Sequence, residues 1–168
     1  QAGWEKILGG EQRSSEISKI VITHAHPDHI GNASWLHHRT KASIWMTQSE
    51  FLTAQAVFEK SPSHSTTSIG ALFRQHGLPA NECGSVAEKG DHYEKLVGSL
   101  PPSFIKISEG DRLNIGNNSW QTILGSGHSP EHLFLYCEEE NILISGDMLL
   151  PKISTNVAVW PHLSLIHI

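Results

Sequence analysis

Only two of the 168 residues are cysteine, Cys83 and Cys137. They stand far apart with no CxxC spacing, which argues against a disulfide framework and against a thiolate metal knuckle, and a reducing, cytoplasmic compartment suits this usage. Positive charge is also scarce: 12 Lys and Arg face 17 Asp and Glu, for a formal net charge of -5. Without a basic stripe there is nothing to follow a phosphate backbone, so no nucleic-acid partner is expected. Long apolar runs are missing too. None approaches the roughly 18 residues of a membrane span, and the opening QAGWEKILGG has neither the charged start nor the apolar stretch of a signal peptide. No membrane contact is expected. Internal repeats are absent, and the one biased tract, SPSHSTTS at residues 61–68, reads as a surface loop. With 38% hydrophobic residues, the length suits one domain with a real core.

What is present changes style along the chain. KIVIT (19–23) reads as a short buried strand, and HIGNASWLHH (29–38) has the apolar spacing of a helix packed on a sheet. SIWM (43–46) is a second strand, and SEFLTAQAVFEK (49–60) a helix opened by Ser49. Short helices are predicted within SIGALFRQHG and HYEKLVGSL, so that residues of about 49–102 form a helical insertion. Beyond Phe104 the pattern is β: FIKI, RLNI, SWQTIL, HLFLYC and NILIS are separated by the turn signals EGD, GNN and EEEN.

The densest chemistry lies in THAHPDHIGN, residues 23–32. In an extended segment the side chains at i and i+2 point the same way, so His24 and His26 can converge on one ion. Asp28 and His29 then open the next helix, where Pro27 is tolerated in the first turn. Two ligand groups emerge, one for each of two ions. A solvated loop that happens to be His-rich is the bland alternative, and the HxHxDH spacing disfavours it.

Two later loops complete the set. In LGSGHSPEH and ISGDMLLP, His128 and Asp147 each stand just past a predicted strand, in loops whose glycines permit tight backbone. Alone, His128 would be an ordinary loop histidine and Asp147 ordinary Gly-Asp turn chemistry. Together with HxHxDH, in this order, they point to one site. Ser129 beside His128 does not make a Ser-His nucleophile pair, because sequence neighbours seldom have that geometry.

These three motifs, in this order over residues 19–162, resemble the metallo-β-lactamase superfamily of hydrolases. The resemblance implies an α+β sandwich of αββα type, with two mixed β-sheets packed face to face and helices outside. It makes residues 1–162 a partial domain, incomplete at both ends, with LSLIHI (163–168) a non-native tail. His24, His26 and His128 would hold a first divalent metal, Asp28 and His29 a second, and Asp147 would bridge them. The nitrogen and oxygen ligands suit zinc, with iron or manganese as alternatives. HSPEHLFLY and PKISTNVAVWPH most resemble uncharacterised bacterial members related to the glyoxalase II branch, rather than true β-lactamases. The family also has a later second-metal histidine with no clear match here: His162 in WPH falls outside the family's ligand set, and His167 lies in the tail.

The implied activity is hydrolysis of a small ester, thioester or lactone. Two cations about 3.5 to 4 Å apart lower the pKa of a shared water and polarise the carbonyl it attacks. Asp28 would orient that water and accept its proton. The alternatives are a one-iron sulfur dioxygenase of the same fold, and a catalytically incomplete metal-binding fragment. Among the remaining residues, Trp35, Trp45, Trp120 and Trp160 are expected in the core. His37, His38, His64, His76 and His92 are expected at the surface. His132 has either a structural role or one behind a ligand or against the substrate, and the helical insertion is expected to wall the substrate pocket.

Overall fold

A computed structural model describes residues 2–9, 17–83 and 92–157. Trp160, His162, His167 and the tail 163–168 lie outside the described residues.

After α1 (Ala2–Leu8), the chain builds a parallel sheet from β1 (Lys19–Val21), β2 (Ser43–Met46) and β3 (Ile105–Lys106), in that spatial order. Parallel neighbours need crossovers. Here α2 (Pro27–Ile30) and α3 (Ala33–Thr40) connect β1 to β2, while α4 (Gln48–Phe58), α5 (Thr66–Gln75) and α6 (Tyr93–Val97) lie between β2 and β3. The second sheet runs β4 (Arg112–Ile115), β5 (Asn118–Gly125), β6 (His132–Cys137) and β7 (Ile142–Ile144), each antiparallel to the next. The expected sheets were mixed. Among the described residues each sheet is of one kind, because helical crossovers join the strands of the first and short loops those of the second.

Alternation along the first sheet sets the layers. Ile22, Ile44 and Met46 are buried with Phe51, Ala54, Tyr93 and Val97 of the helices. Val21 and Trp45 face the other way, onto Leu113, Trp120, Leu133, Leu135 and Cys137 of the second sheet. The order is therefore helices, parallel sheet, antiparallel sheet. Trp120 is buried and Trp45 packs beside it, as expected of core residues, while Trp35 is half-buried on α3. No helix among the described residues is long and apolar enough to cross a membrane.

Two predicted elements differ. The helix expected over 29–38 is divided into α2 and α3 at Gly31 and Asn32. A side chain at Gly31 would sit 3.2 Å from the Leu96 carbonyl of α6, so glycine permits the close approach that bends the chain there. The tract 61–68 is not an open loop. Pro62–His64 forms a 3₁₀ turn, and the Ser65 side chain caps α5 by accepting from the Ser68 N–H at 3.2 Å.

Met46 has no exposed surface and sits between the parallel sheet and the helices. Met46→Ala is expected to cost about 2–5 kcal/mol in urea denaturation. The exposed Leu52→Ala is expected to stay within about 0.5 kcal/mol, and equal costs would contradict this layering.

Candidate metal centre

The site gathers where strands end. β1 runs out at Val21 into the loop that carries His24 and His26, and α2 carries Asp28 and His29. His128 lies in the loop between β5 and β6, and Asp147 in the 3₁₀ turn Gly146–Met148 after β7. The Leu133 N–H donates to the Thr23 carbonyl at 2.9 Å, which ties the first loop to the start of β6.

Five of the six expected ligands converge. Potential ligand atoms of His24, His26 and His128 lie within 4.8 Å of one another, as do those of His24, His29 and Asp147. His24 Nε2 stands 3.0 Å from His26 Nδ1. Asp147 faces both groups: Oδ1 is 3.3 Å from His29 Nε2 and Oδ2 is 3.5 Å from His128 Nε2. The sixth residue, Asp28, is 76% exposed and belongs to neither group, although its Oδ2 comes to 3.6 Å from His29 Nε2.

The donor set fits a metal. His128 Nδ1 donates to the Asn156 carbonyl at 2.9 Å, which leaves the buried Nε2 as a lone pair with no hydrogen-bond partner among the described residues. A buried nitrogen without a partner is costly unless something such as a cation meets it. Thr23 Oγ1 lies 3.1 Å from His24 Nδ1 and 3.3 Å from His29 Nδ1. With both Nδ1 atoms protonated, this hydroxyl accepts from each, and the Nε2 lone pairs of the two imidazoles are then free for a cation.

The family model of the metallo-β-lactamase superfamily matches residues 10–166. The chain belongs to this superfamily. A β-lactamase domain protein from Burkholderia ambifaria is 34% identical, with a TM-score of 0.77 over 95% of this chain and 44% of that one. A metallo-β-lactamase family protein from Thermus thermophilus is 26% identical, with a TM-score of 0.69 over 89% of this chain and 46% of that one. An uncharacterized protein of Aquifex aeolicus is 26% identical over 146 residues, 86% of this chain and 54% of that protein. The chain thus spans about half the length of these relatives.

In this metallo-β-lactamase fold, two residues around the site hold positions that the sequence alone did not assign. His132 is wholly buried, stacks on His24 with ring centroids 4.6 Å apart, and accepts from the Asp147 N–H through Nε2 at 3.3 Å. Gly146 makes room for it: its φ is +50°, and a side chain there would meet the His132 ring at 2.5 Å. His64, expected at the surface, is half-buried and lines a cavity of about 210 Å³ with His26, Val57, Ile69, Tyr93 and Pro130. Much of that wall comes from residues 49–102. Of the other surface expectations, His38, His76 and His92 are exposed, while His37 is half-buried with Nδ1 against the Ala42 carbonyl.

Burial and crowding keep His24, His26 and His132 neutral. Desolvation, then the neighbouring His29, His26, His132 and His128, lowers the His24 pKa to about 2. Desolvation and His128 lower that of His132 to about 4, and the same two causes lower that of His26. An ordinary histidine titrates near 6.5, so below that pH the unfolded chain binds more protons than the folded one. The stability these three histidines contribute in the metal-free chain is therefore complete above about pH 6.5 and falls as the pH drops toward 4. Thermal melts at stepped pH should show the midpoint dropping between pH 7 and 5. A flat midpoint over that window would contradict a neutral cluster.

Proposed function

We propose that the protein is a metal-dependent hydrolase of a small ester, thioester or lactone, working with two divalent ions, zinc first among them. The observation that carries this reading is the placement of Asp147, one carboxylate oxygen toward His29 and the other toward His128. A carboxylate with an oxygen for each of two ligand groups suits a shared ligand between two ions. In this reading His24, His26 and His128 would hold one ion and His29 and Asp28 the other, with Asp147 available to both. Ions so held would supply a hydroxide nucleophile at neutral pH and polarise the substrate carbonyl.

The chain's own residues do the rest. Asp28, at the solvent edge beside His29, accepts the proton that an attacking water gives up and passes it to solvent. Thr23 and Asn156 hold imidazole tautomers, so no reorientation is needed during turnover. The cavity beside His26 and His128 takes the acyl or ring portion of the substrate, and Val57, Ile69 and Leu96 favour an apolar one. The HSPEHLFLY segment supports a thioester substrate of the glyoxalase II kind within this class.

The test is a panel of aryl esters, acyl thioesters and lactones, run with zinc-, manganese- and iron-loaded protein. Hydrolysis of at least one substrate is expected, abolished by chelator and restored by metal. Asp147→Asn and His128→Ala are each expected to lower kcat/KM by about 100-fold or more. Hydrolysis that ignores chelator, or dioxygen consumption by iron-loaded protein in place of hydrolysis, would overturn the proposal.

A further inference from the structure

A buried acid that the metal reading does not use lies directly behind the site. Glu50, in the first turn of α4, has no exposed surface. Burying a carboxylate is costly unless its oxygens are hydrogen-bonded, so the partners it has found are informative. Both are main-chain N–H groups of loops that carry expected metal ligands. Ala25 N–H, between His24 and His26, donates to Oε2 at 2.8 Å, and Glu131 N–H, three residues after His128, donates to Oε1 at 2.7 Å.

We propose that Glu50 is a positioning residue of the metal centre, a single carboxylate that clamps the loop of His24 and His26 to the loop of His128. The inference rests on the metal reading above. Neighbouring groups reinforce each end. Tyr93 Oη donates to the Ala25 carbonyl at 2.6 Å, so both main-chain groups of the residue between His24 and His26 are held from the helical layer. Thr47 Oγ1 donates to the Glu131 carbonyl at 3.2 Å, and Ser49 N–H donates to the Glu131 carboxylate at 3.3 Å. The start of α4 thus grips Glu131 at three points. The two loops leave different sheets, and no covalent link shorter than the intervening chain fixes their spacing. Beside the Leu133 to Thr23 hydrogen bond, a rigid two-oxygen acceptor between them helps set the distance from His24 and His26 to His128.

The chemistry of the clamp makes it testable. Both contacts need an acceptor, and a glutamine amide has only one acceptor oxygen. Glu50→Gln keeps the volume but turns an NH₂ toward one of the two N–H groups, so one loop is released. Ala54 lies one turn further along the same helix and is wholly buried without touching either loop's N–H groups. Ala54→Gly therefore loosens α4 and leaves the clamp intact.

Cobalt(II) titration of the 168-residue chain, read by its ligand-field absorption, tests this directly. Glu50→Gln is expected to weaken cobalt binding by about 10- to 100-fold and to shift the absorption bands. Ala54→Gly should lower the melting temperature while keeping wild-type affinity and bands. Wild-type affinity and bands in Glu50→Gln, or equal weakening in Ala54→Gly, would overturn the clamp. Hydrogen exchange of the Ala25 and Glu131 amides in the wild-type chain decides the case where Glu50→Gln does not fold. Strong protection of both amides supports the clamp, and loop-like exchange of either overturns it. A wild-type chain that takes up no cobalt while both amides stay protected overturns the metal reading instead.

Discussion

Four imidazoles packed around a fifth, wholly buried one form the constraint on which this end of the molecule depends. His24 has no exposed surface, and the rings of His26, His29, His128 and His132 all lie with centroids within 5 Å of its own. Protonating His24, His26 or His132 would set a charge against its neighbours in a desolvated space. Several of the ring nitrogens are met from behind by neighbouring oxygens, two of them by Thr23 Oγ1 and a third by the Asn156 carbonyl. What remains in front is a set of lone pairs with few protein donors to meet them, which is the electronic character of a cation site.

The layer order places that cluster. Parallel β1 and β2 send their chain out at one edge, where the HxHxDH loop and the start of α4 lie side by side. In the antiparallel sheet, every second turn falls at one end, so the loops after β5 and β7 deliver His128 and Asp147 together. The Val21 and Trp45 face against Trp120, Leu133 and Leu135 fixes one sheet on the other. Site geometry is therefore a consequence of core packing, with the hydrogen bond from Leu133 to Thr23 as the most direct link between them.

Much of this was legible in the residues. HxHxDH after a short apolar run states both the strand and the convergence of His24 with His26, because period-2 spacing on extended chain is geometric. Each predicted strand has a counterpart in the structure, since short apolar runs between turn signals have few other ways to fold. Glu50 was not legible. An acid on a helix normally reads as a solvated face, and only its place on the stripe with Ala54 and Val57 hinted that it points inward. The tract 61–68 misled through its composition, because Ser and Pro mark loops and helix starts alike. Ser65, three residues before Ser68, was the capping signal that separates the two. The opening of the sheets into one parallel and one antiparallel layer depended on which strands pair, which local pattern does not encode.

The central claim is that these residues hold two metal ions rather than forming a histidine-rich packing cluster. Elemental mass spectrometry of the purified chain, with His24→Ala alongside, tests it most directly. The account predicts about two divalent ions per chain in the wild type, with a clear loss in His24→Ala, whose ring takes part in both groups. No metal above background in the wild type, or an undiminished metal content in His24→Ala, would contradict it.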